Sequence, residues 1–427
     1  MRYVKLIAVN VWSGFGLRAS PFFNQPLEPD EDHPTRPITL FVGREAESQL
    51  VLNKVAGSHS SASMVTGGFG VGKTTFIHYV QHRLRQDPSV LIHPSPVRMT
   101  STMTPEAITA EVLRRLLGGV ELAEGLDRVT SSPAFKRAEE AVRRVDRWSG
   151  SVSILGLGGG VEKATVEPPF PVHDLVSLAF ELAERIQDID ADRKNVIHLK
   201  NLENVYDPSE PQRAQRLFMD IRDLLQLDGV HYLMAGSLGL YRSAIHKEQK
   251  VSDVVGLPII LSPLDRENAW KAIGLRAAHL SRNGERGKVP ITQGAFSGLY
   301  QAFGGNLRGV FSLAEQIFEG RPPKEFEPLD WNALAPTARE MAVAHLGGLL
   351  GRSDLGYLKT AYERFKDREF RQADLAPHLD MKQPSVSRAM DRWAGERLIE
   401  VVREEPPARY VRLSGLVLIA FGWDPGK

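Results

Sequence analysis

The sequence predicts an α/β fold, with a parallel sheet covered by helices around a phosphate-binding loop, then a helical segment and a small C-terminal domain. Three observations predict it. Between residues 41 and 265, short β-branched runs alternate with longer stretches of helical periodicity, the pattern of strands joined by crossover helices. Residues 67–74 read Gly67-Gly68-Phe69-Gly70-Val71-Gly72-Lys73-Thr74, which satisfies G-x-x-x-x-G-K-[ST] between an apolar strand and an apolar helix. Residues 371–413 read as two short helices around a turn, followed by two strands.

The chain has 427 residues, 42% hydrophobic and 25% charged, with a formal net charge of +1. That length supports two or three domains, and that balance excludes a disordered or fibrous chain. A net charge so close to zero means that any nucleic-acid contact must come from local basic surface. There are no cysteines, so disulfides, thiolate metal sites and cysteine nucleophiles are excluded, and a cytoplasmic location is expected. Lys5 and Asn10 interrupt the apolar start, and no stretch is long enough to cross a bilayer, so neither a signal peptide nor a membrane span is expected.

Residues 1–40 begin with a strand-like apolar run and continue through Pro21, Pro26, Pro29, Pro34 and Pro37. Proline blocks helix and sheet interiors, so an extended arm is expected. The core follows at 41–265, with strands expected at 63–66, 90–94, 196–199, 230–235 and 257–261. An insertion at about 130–168 interrupts it. Residues 137–148 read as a charged helix, and 151–166 as two short strands around Gly158-Gly159-Gly160, stopped by Pro168-Pro169. Two readings of this insertion stand. It is a surface elaboration, or a DNA- or subunit-contacting finger fed by Lys136, Arg137, Arg143, Arg144 and Arg147. Residues 266–325 carry apolar side chains at helical spacing, and 326–427 form the C-terminal domain.

The loop is the strongest chemical signal. Its glycines let backbone N–H groups turn inward around phosphates, in conformations that tolerate no Cβ. Lys73 neutralises the β and γ phosphates, Thr74 offers a hydroxyl to Mg2+ with Thr75 beside it, and the following helix presents its positive dipole end. ATP or ADP with Mg2+ is therefore the expected cofactor.

Upstream, Phe41-Val42-Gly43-Arg44-Glu45-Ala46-Glu47 resembles the F-x-G-R-E-x-E box that precedes the phosphate loop in the origin-recognition and initiator branch of AAA+ ATPases and in the related STAND ATPases. The resemblance implies that Phe41, Val42 and Gly43 line the adenine pocket, with Arg44 nearby. Downstream, Leu261-Ser262-Pro263-Leu264 followed by Arg276 resembles the start of the helical lid in these ATPases. Gly304-Gly305-Asn306-Leu307-Arg308 resembles their sensor-2 element, which implies that Arg308 reaches the γ phosphate from the lid. Ser237, after the fourth strand, is the sensor-1 candidate, and Arg242 is a candidate arginine finger. The resemblance covers about residues 38–320 and implies an AAA+ core with an α-helical lid.

It breaks at the third strand. There the families carry h-h-h-h-D-[DEN]-h-[DE], and this chain reads Val196-Ile197-His198-Leu199-Lys200-Asn201-Leu202-Glu203. Lys200 stands where the metal-binding aspartate is expected and Asn201 where the second acid is expected. Only Glu203 matches a carboxylate. Nucleotide binding is expected from the loop, while hydrolysis stays open, with Lys73, Glu203, Asn201 and Arg308 as the catalytic candidates.

Residues 369–415 read as a winged helix-turn-helix. Pro384 suits the first position of the second helix. Along that helix Val386, Ala389, Met390 and Trp393 fall inward, leaving Ser385, Ser387, Arg388 and Arg392 outside. Ser385, Ser387 and Arg388 are then positioned for base edges in duplex DNA, Lys382, Arg403, Arg409 and Arg412 meet phosphates, and Arg392 on the same outer face is a further DNA-binding candidate. Residues 331–427 hold 15 Lys and Arg against 13 Asp and Glu, a net of +2, so a winged helix used for protein contacts is the other reading. Three functions follow. One is an initiator-like switch coupling ATP state to double-stranded DNA or to self-assembly as a homo-oligomer. Another is a STAND-like sensor or adaptor of an antiviral-defence or mobile-element system acting through protein partners. The third is a transcription regulator. His78, His173 and His198 read as packed or solvated side chains rather than metal ligands.

Overall fold

The computed structural model describes residues 10–122, 130–155, 170–207, 209–282, 287–320, 325–379, 381–405 and 408–426. Its centre is a parallel sheet of β1 (Ser61–Gly67), β2 (Val90–Ile92), β3 (Val97–Arg98), β4 (Lys194–Lys200), β5 (Val230–Ala235) and β6 (Ile259–Leu261). The strand order is β2-β4-β5-β1-β6, with β3 extending alongside β4. β5 thus lies between the loop-bearing strand β1 and the third long strand β4. Five of the six strands lie where periodicity placed them, and β3 is the addition. Both faces are covered. The helices Glu45–Gly57 and Lys73–Leu84 bury Val51, Val55, Phe76, Ile77 and Val80 on one face. The helices Pro105–Leu122, Pro133–Leu155 and Val172–Ile189 cover the other.

One expectation for the insertion fails. Residues 151–155 are helical, the last turns of Pro133–Leu155, where a strand was expected to begin. Val142 and Val145 are buried on this helix at helical spacing, and continuing the helix satisfies backbone groups that an isolated strand would leave unpaired. Residues 156–169, with the rest of the expected hairpin, lie outside the described residues. Arg137 pairs with Glu181, Arg143 with Glu139 and Arg144 with Glu140, which leaves fewer basic side chains for a finger than the sequence suggests.

The lid comprises Arg266–His279, Gln293–Ala302 and Leu307–Gly320. Asp265 and Thr292 cap the first two through side-chain acceptors for the Asn268 and Ala295 amides. The N-terminal residues are irregular, as their prolines require, yet they pack rather than project. Trp12, Phe15 and Phe22 are buried against Phe311 and Phe318 of the lid. The C-terminal domain opens with Trp331–Leu349 and Arg352–Phe365. The short β7 (Phe370–Arg371), the helix Gln383–Gly395, β8 (Ile399–Glu405) and β9 (Ala408–Leu413) then form a winged helix, with β9 antiparallel to both β7 and β8. Val386, Ala389, Met390 and Trp393 are buried, as the spacing requires. No described helix is long and apolar enough to cross a membrane.

Candidate nucleotide-binding site

The site grows from the turn between β1 and the helix Lys73–Leu84. Gly67, Gly70 and Gly72 have φ of 147°, 81° and 92°, a region L-residues avoid. At Gly67 a Cβ would sit 2.5 Å from the Leu261 carbonyl oxygen, and at Gly70 it would sit 2.3 Å from Asn306 Oδ1. The glycines therefore serve both the turn and the close approach of β6 and the lid. Lys73 folds over this turn, its Nζ donating to the carbonyls of Gly67 at 2.9 Å and Gly68 at 3.0 Å. Burial lowers its basicity, Glu203 opposes that effect, and Arg308 reinforces it. Two cations and one carboxylate thus converge on one spot, an arrangement that an anion relieves.

The cleft in front of the loop is lined by Phe41, Val42, Arg44, Phe69, Gly70, Val71, Gly72, Lys73, Thr74, Thr75, Glu203 and Arg308 among the expected residues. Gly43, Gly67, Gly68, Asn201 and Ser237 do not line it. Gly43 instead packs near Leu264 and Asn268, and Asn201 starts a 3-10 turn in the left-handed region. The Ser237 hydroxyl caps a helical turn by accepting the Leu240 amide at 3.0 Å. Arg242 lies exposed in the turn Tyr241–Ile245. Arg44, which lines the cleft, is also a clamp: its guanidinium donates to the carbonyls of Val71 at 3.1 Å and Ser262 at 2.6 Å, joining the loop to the start of the lid. Phe41 stacks on Tyr79 with centroids 4.0 Å apart.

Sequence reasoning missed the far wall of the cleft. Phe23, Asn24, Gln25, Pro26 and Leu27 line it from the N-terminal segment, and Arg276 and Phe311 line it from the lid. The Leu27 amide donates to the Thr75 hydroxyl at 3.3 Å, and His78 Nδ1–H donates to the Leu27 carbonyl at 2.7 Å. Arg276 lies between the Phe23 and Phe311 rings, 4.0 and 4.7 Å from their centroids, and donates to the Phe23 carbonyl at 2.9 Å. The aromatic pair Phe22-Phe23 ahead of Asn24-Gln25-Pro26 is the signal that was available for it.

Strand order, phosphate loop and helical lid together settle the architecture. The fold is that of an AAA+ ATPase, with a winged helix at its C-terminus. No protein-family model matches the chain, and no curated protein matches it. Among solved structures it is similar to the ORC2 protein of Aeropyrum pernix in ADPNP-ADP complexes, at 13% identity over 94% of this chain and 96% of that one, with a TM-score of 0.48. It is similar to the ORC1 protein of Aeropyrum pernix in complex with DNA, at 15% identity over 95% and 97%, with a TM-score of 0.44. It is also similar to Cdc6p of Pyrobaculum aerophilum, at 11% identity over 94% and 95%, with a TM-score of 0.40.

Within this AAA+ core the metal position departs from what the fold implies. Thr74 lies in the first turn of the loop helix and lines the cleft with Glu203, while β4 ends in Lys200, where the resemblance implies an aspartate. Among the described residues no group of three His, Cys, Asp or Glu is placed to hold a metal ion. Mg2+ takes hard oxygen ligands, commonly one or two carboxylates together with substrate phosphates, so Thr74 and Glu203 are the residues in the cleft that would hold it.

The winged helix meets the core at the loop itself. Phe69 is half-exposed, and its ring lies between two guanidinium groups, Arg308 from the lid and Arg397 from the turn after the helix Gln383–Gly395, each 4.6 Å from its centroid. Arg397 has a φ of 57°, a strained backbone held by the Leu398 amide donating to the Trp393 carbonyl at 2.7 Å. Of the eight expected DNA contacts, three are held in ion pairs within the protein. Arg392 pairs with Asp354 at 2.9 Å, Arg409 with Asp391 at 3.0 Å, and Arg412 with Glu400 at 2.7 Å. Arg412 also rests on Gly304 of the lid, where a Cβ would fall 2.0 Å from its Nη2. Lys382 and Arg388 are exposed, Ser385 and Ser387 are half-buried, and the Arg403 side chain lies outside the described residues.

Proposed function

We propose that this chain is an ATP-binding switch whose nucleotide state sets how firmly its winged helix is held against the loop, and through that its grip on duplex DNA. The observation that carries the reading is the Arg308–Phe69–Arg397 stack. Each exposed cation–π contact is worth about 0.5–1 kcal/mol, so the stack is weak enough for one ligand to break. A γ phosphate between Lys73 and Arg308 draws Arg308 off the Phe69 ring, which leaves Arg397 of the winged helix as the remaining cation on that ring and changes how firmly the winged helix is held. A coupling of 1–2 kcal/mol corresponds to roughly a five- to thirtyfold change in affinity. In fluorescence anisotropy with labelled duplex, ATP is expected to tighten binding by about that factor relative to ADP. Phe69→Ala removes the difference, and Lys73→Ala removes the nucleotide effect altogether. Equal DNA affinity with ATP, with ADP and without nucleotide contradicts the reading.

A second reading has its own observation. With Arg392, Arg409 and Arg412 engaged in ion pairs, little charge is left for a DNA backbone, which favours a partner-gated sensor that assembles through its ATPase core. Size exclusion with each nucleotide separates the two, since a strict monomer that shifts a DNA duplex speaks against the sensor.

A further inference from the structure

We propose that Asn24 selects the base of the bound nucleotide, its side-chain carbonyl accepting the 6-amino group of adenine. The proposal rests on the nucleotide-binding reading above and adds what tells one purine from another. One cleft is lined both by the phosphate loop and by the N-terminal wall. With a triphosphate seated at residues 70–75, the ribose and base are left with the remaining walls. Leu40, Val42, Leu264, Ala272 and Phe311 make much of that lining apolar, as suits a flat ring. Among the described residues, the polar side chains on these walls are Asn24, Gln25, Arg44 and Arg276.

Adenine carries an amino donor where guanine carries a carbonyl, so reading it requires an acceptor. A guanidinium has none to offer, and Arg44 and Arg276 already donate to backbone carbonyls. The carbonyls flanking the pair Asn24-Gln25 are also taken. Arg276 holds that of Phe23, Arg36 holds that of Pro26 at 3.0 Å, and His78 holds that of Leu27. These bonds, with the Leu27 amide on Thr75, pin the segment on both sides of the pair. Within the pinned stretch Gln25 is exposed and its carboxamide is solvated, whereas Asn24 is half-buried and its Oδ1 is enclosed without a hydrogen-bond partner. An enclosed carbonyl left unpaired is unfavourable, and a ligand donor relieves it. Among the described residues no hydrogen bond holds this carboxamide in place. The terminal torsion of asparagine is broad, so the group can turn to a base lodged beside it without breaking a bond.

Equilibrium dialysis of the full chain in Mg2+ buffer tests this, with labelled ATP displaced by unlabelled ATP or by purine riboside triphosphate, which lacks only the 6-amino group. The wild type is expected to bind ATP about tenfold more tightly than the analogue. Asn24→Ala should bring the two affinities within about twofold of each other. Asn24→Asp keeps an acceptor and should keep the preference, although its charge weakens both ligands. Circular dichroism melting of each variant confirms folding before dialysis. Equal affinity of the wild type for the two triphosphates overturns the proposal. So does an Asn24→Ala variant that keeps the wild-type preference, which would place the reading on the backbone carbonyls of Asn24 and Gln25. Absence of binding by either triphosphate overturns the nucleotide reading itself and this proposal with it, a result distinct from binding without preference.

Discussion

At the scale of single residues, Arg276 shows how a charge becomes structural. Burial pushes its guanidinium down to about 9, yet it stays in place because two aromatic faces and the Phe23 carbonyl replace water. Removing it leaves that carbonyl and two rings without their partner, so Arg276→Ala is expected to lower stability by about 2–4 kcal/mol. Urea denaturation measures this, and a loss under 0.5 kcal/mol speaks against the clamp. Gly304 is the converse case, with a φ of 56° and an arginine where a Cβ would stand. Gly304→Ala should displace Arg412 and lower the melting temperature. The placing of Lys73 and Arg308 in one cleft was legible because each sits in a motif that is local in sequence. Arg397 was not, because its partner Phe69 is 328 positions away and nothing local marks a cation–π contact.

Among elements, legibility followed the range of the forces. Strands β1, β4 and β5 and the winged-helix motif declare themselves through alternation and helical spacing, which act over a few residues. The prolines of the N-terminal segment were read as blocking helix and sheet interiors, and the described part of it, residues 10–40, holds two short 3-10 turns. Their reading as an arm missed that Trp12, Phe15 and Phe22 complete the lid, because tertiary packing leaves no periodic trace in an irregular segment. The turns at 151–155 went wrong for a different reason. Val152 and Ile154 alternate like a strand, while the helix arriving from Pro133 carries on through them. Since residues 23–27 form one wall of the cleft, shortening the chain by its first 27 residues should weaken ATP binding as well as stability. Retained ATP affinity in a folded, shortened protein would show that this wall contributes nothing to the ligand.

For the whole molecule, one apolar cluster runs from the N-terminal segment through the lid into the winged helix, while the sheet has clusters of its own on each face. The lid and winged helix should therefore unfold together, and the sheet can melt separately. Buried histidines set the acid limit of the sheet. Burial holds His198 down to about 3 and both His93 and His231 to about 4. The unfolded chain takes up these protons near pH 6.5 while the folded chain refuses them, so stability falls as pH drops from about 6.5 towards 4. The slope is up to about 1.4 kcal/mol per pH unit for each histidine. Thermal melts across that range check it, and replacing His198 with Phe should flatten the slope.

The switch depends on a phosphate chain seated among the amides of residues 67–74. Isothermal titration calorimetry of nucleotide-stripped, folded protein with ATP tests it most directly. One ATP per chain, lost in Lys73→Ala, is the expected result, whereas no heat with either adenine or guanine nucleotides, in EDTA or in Mg2+, would contradict it.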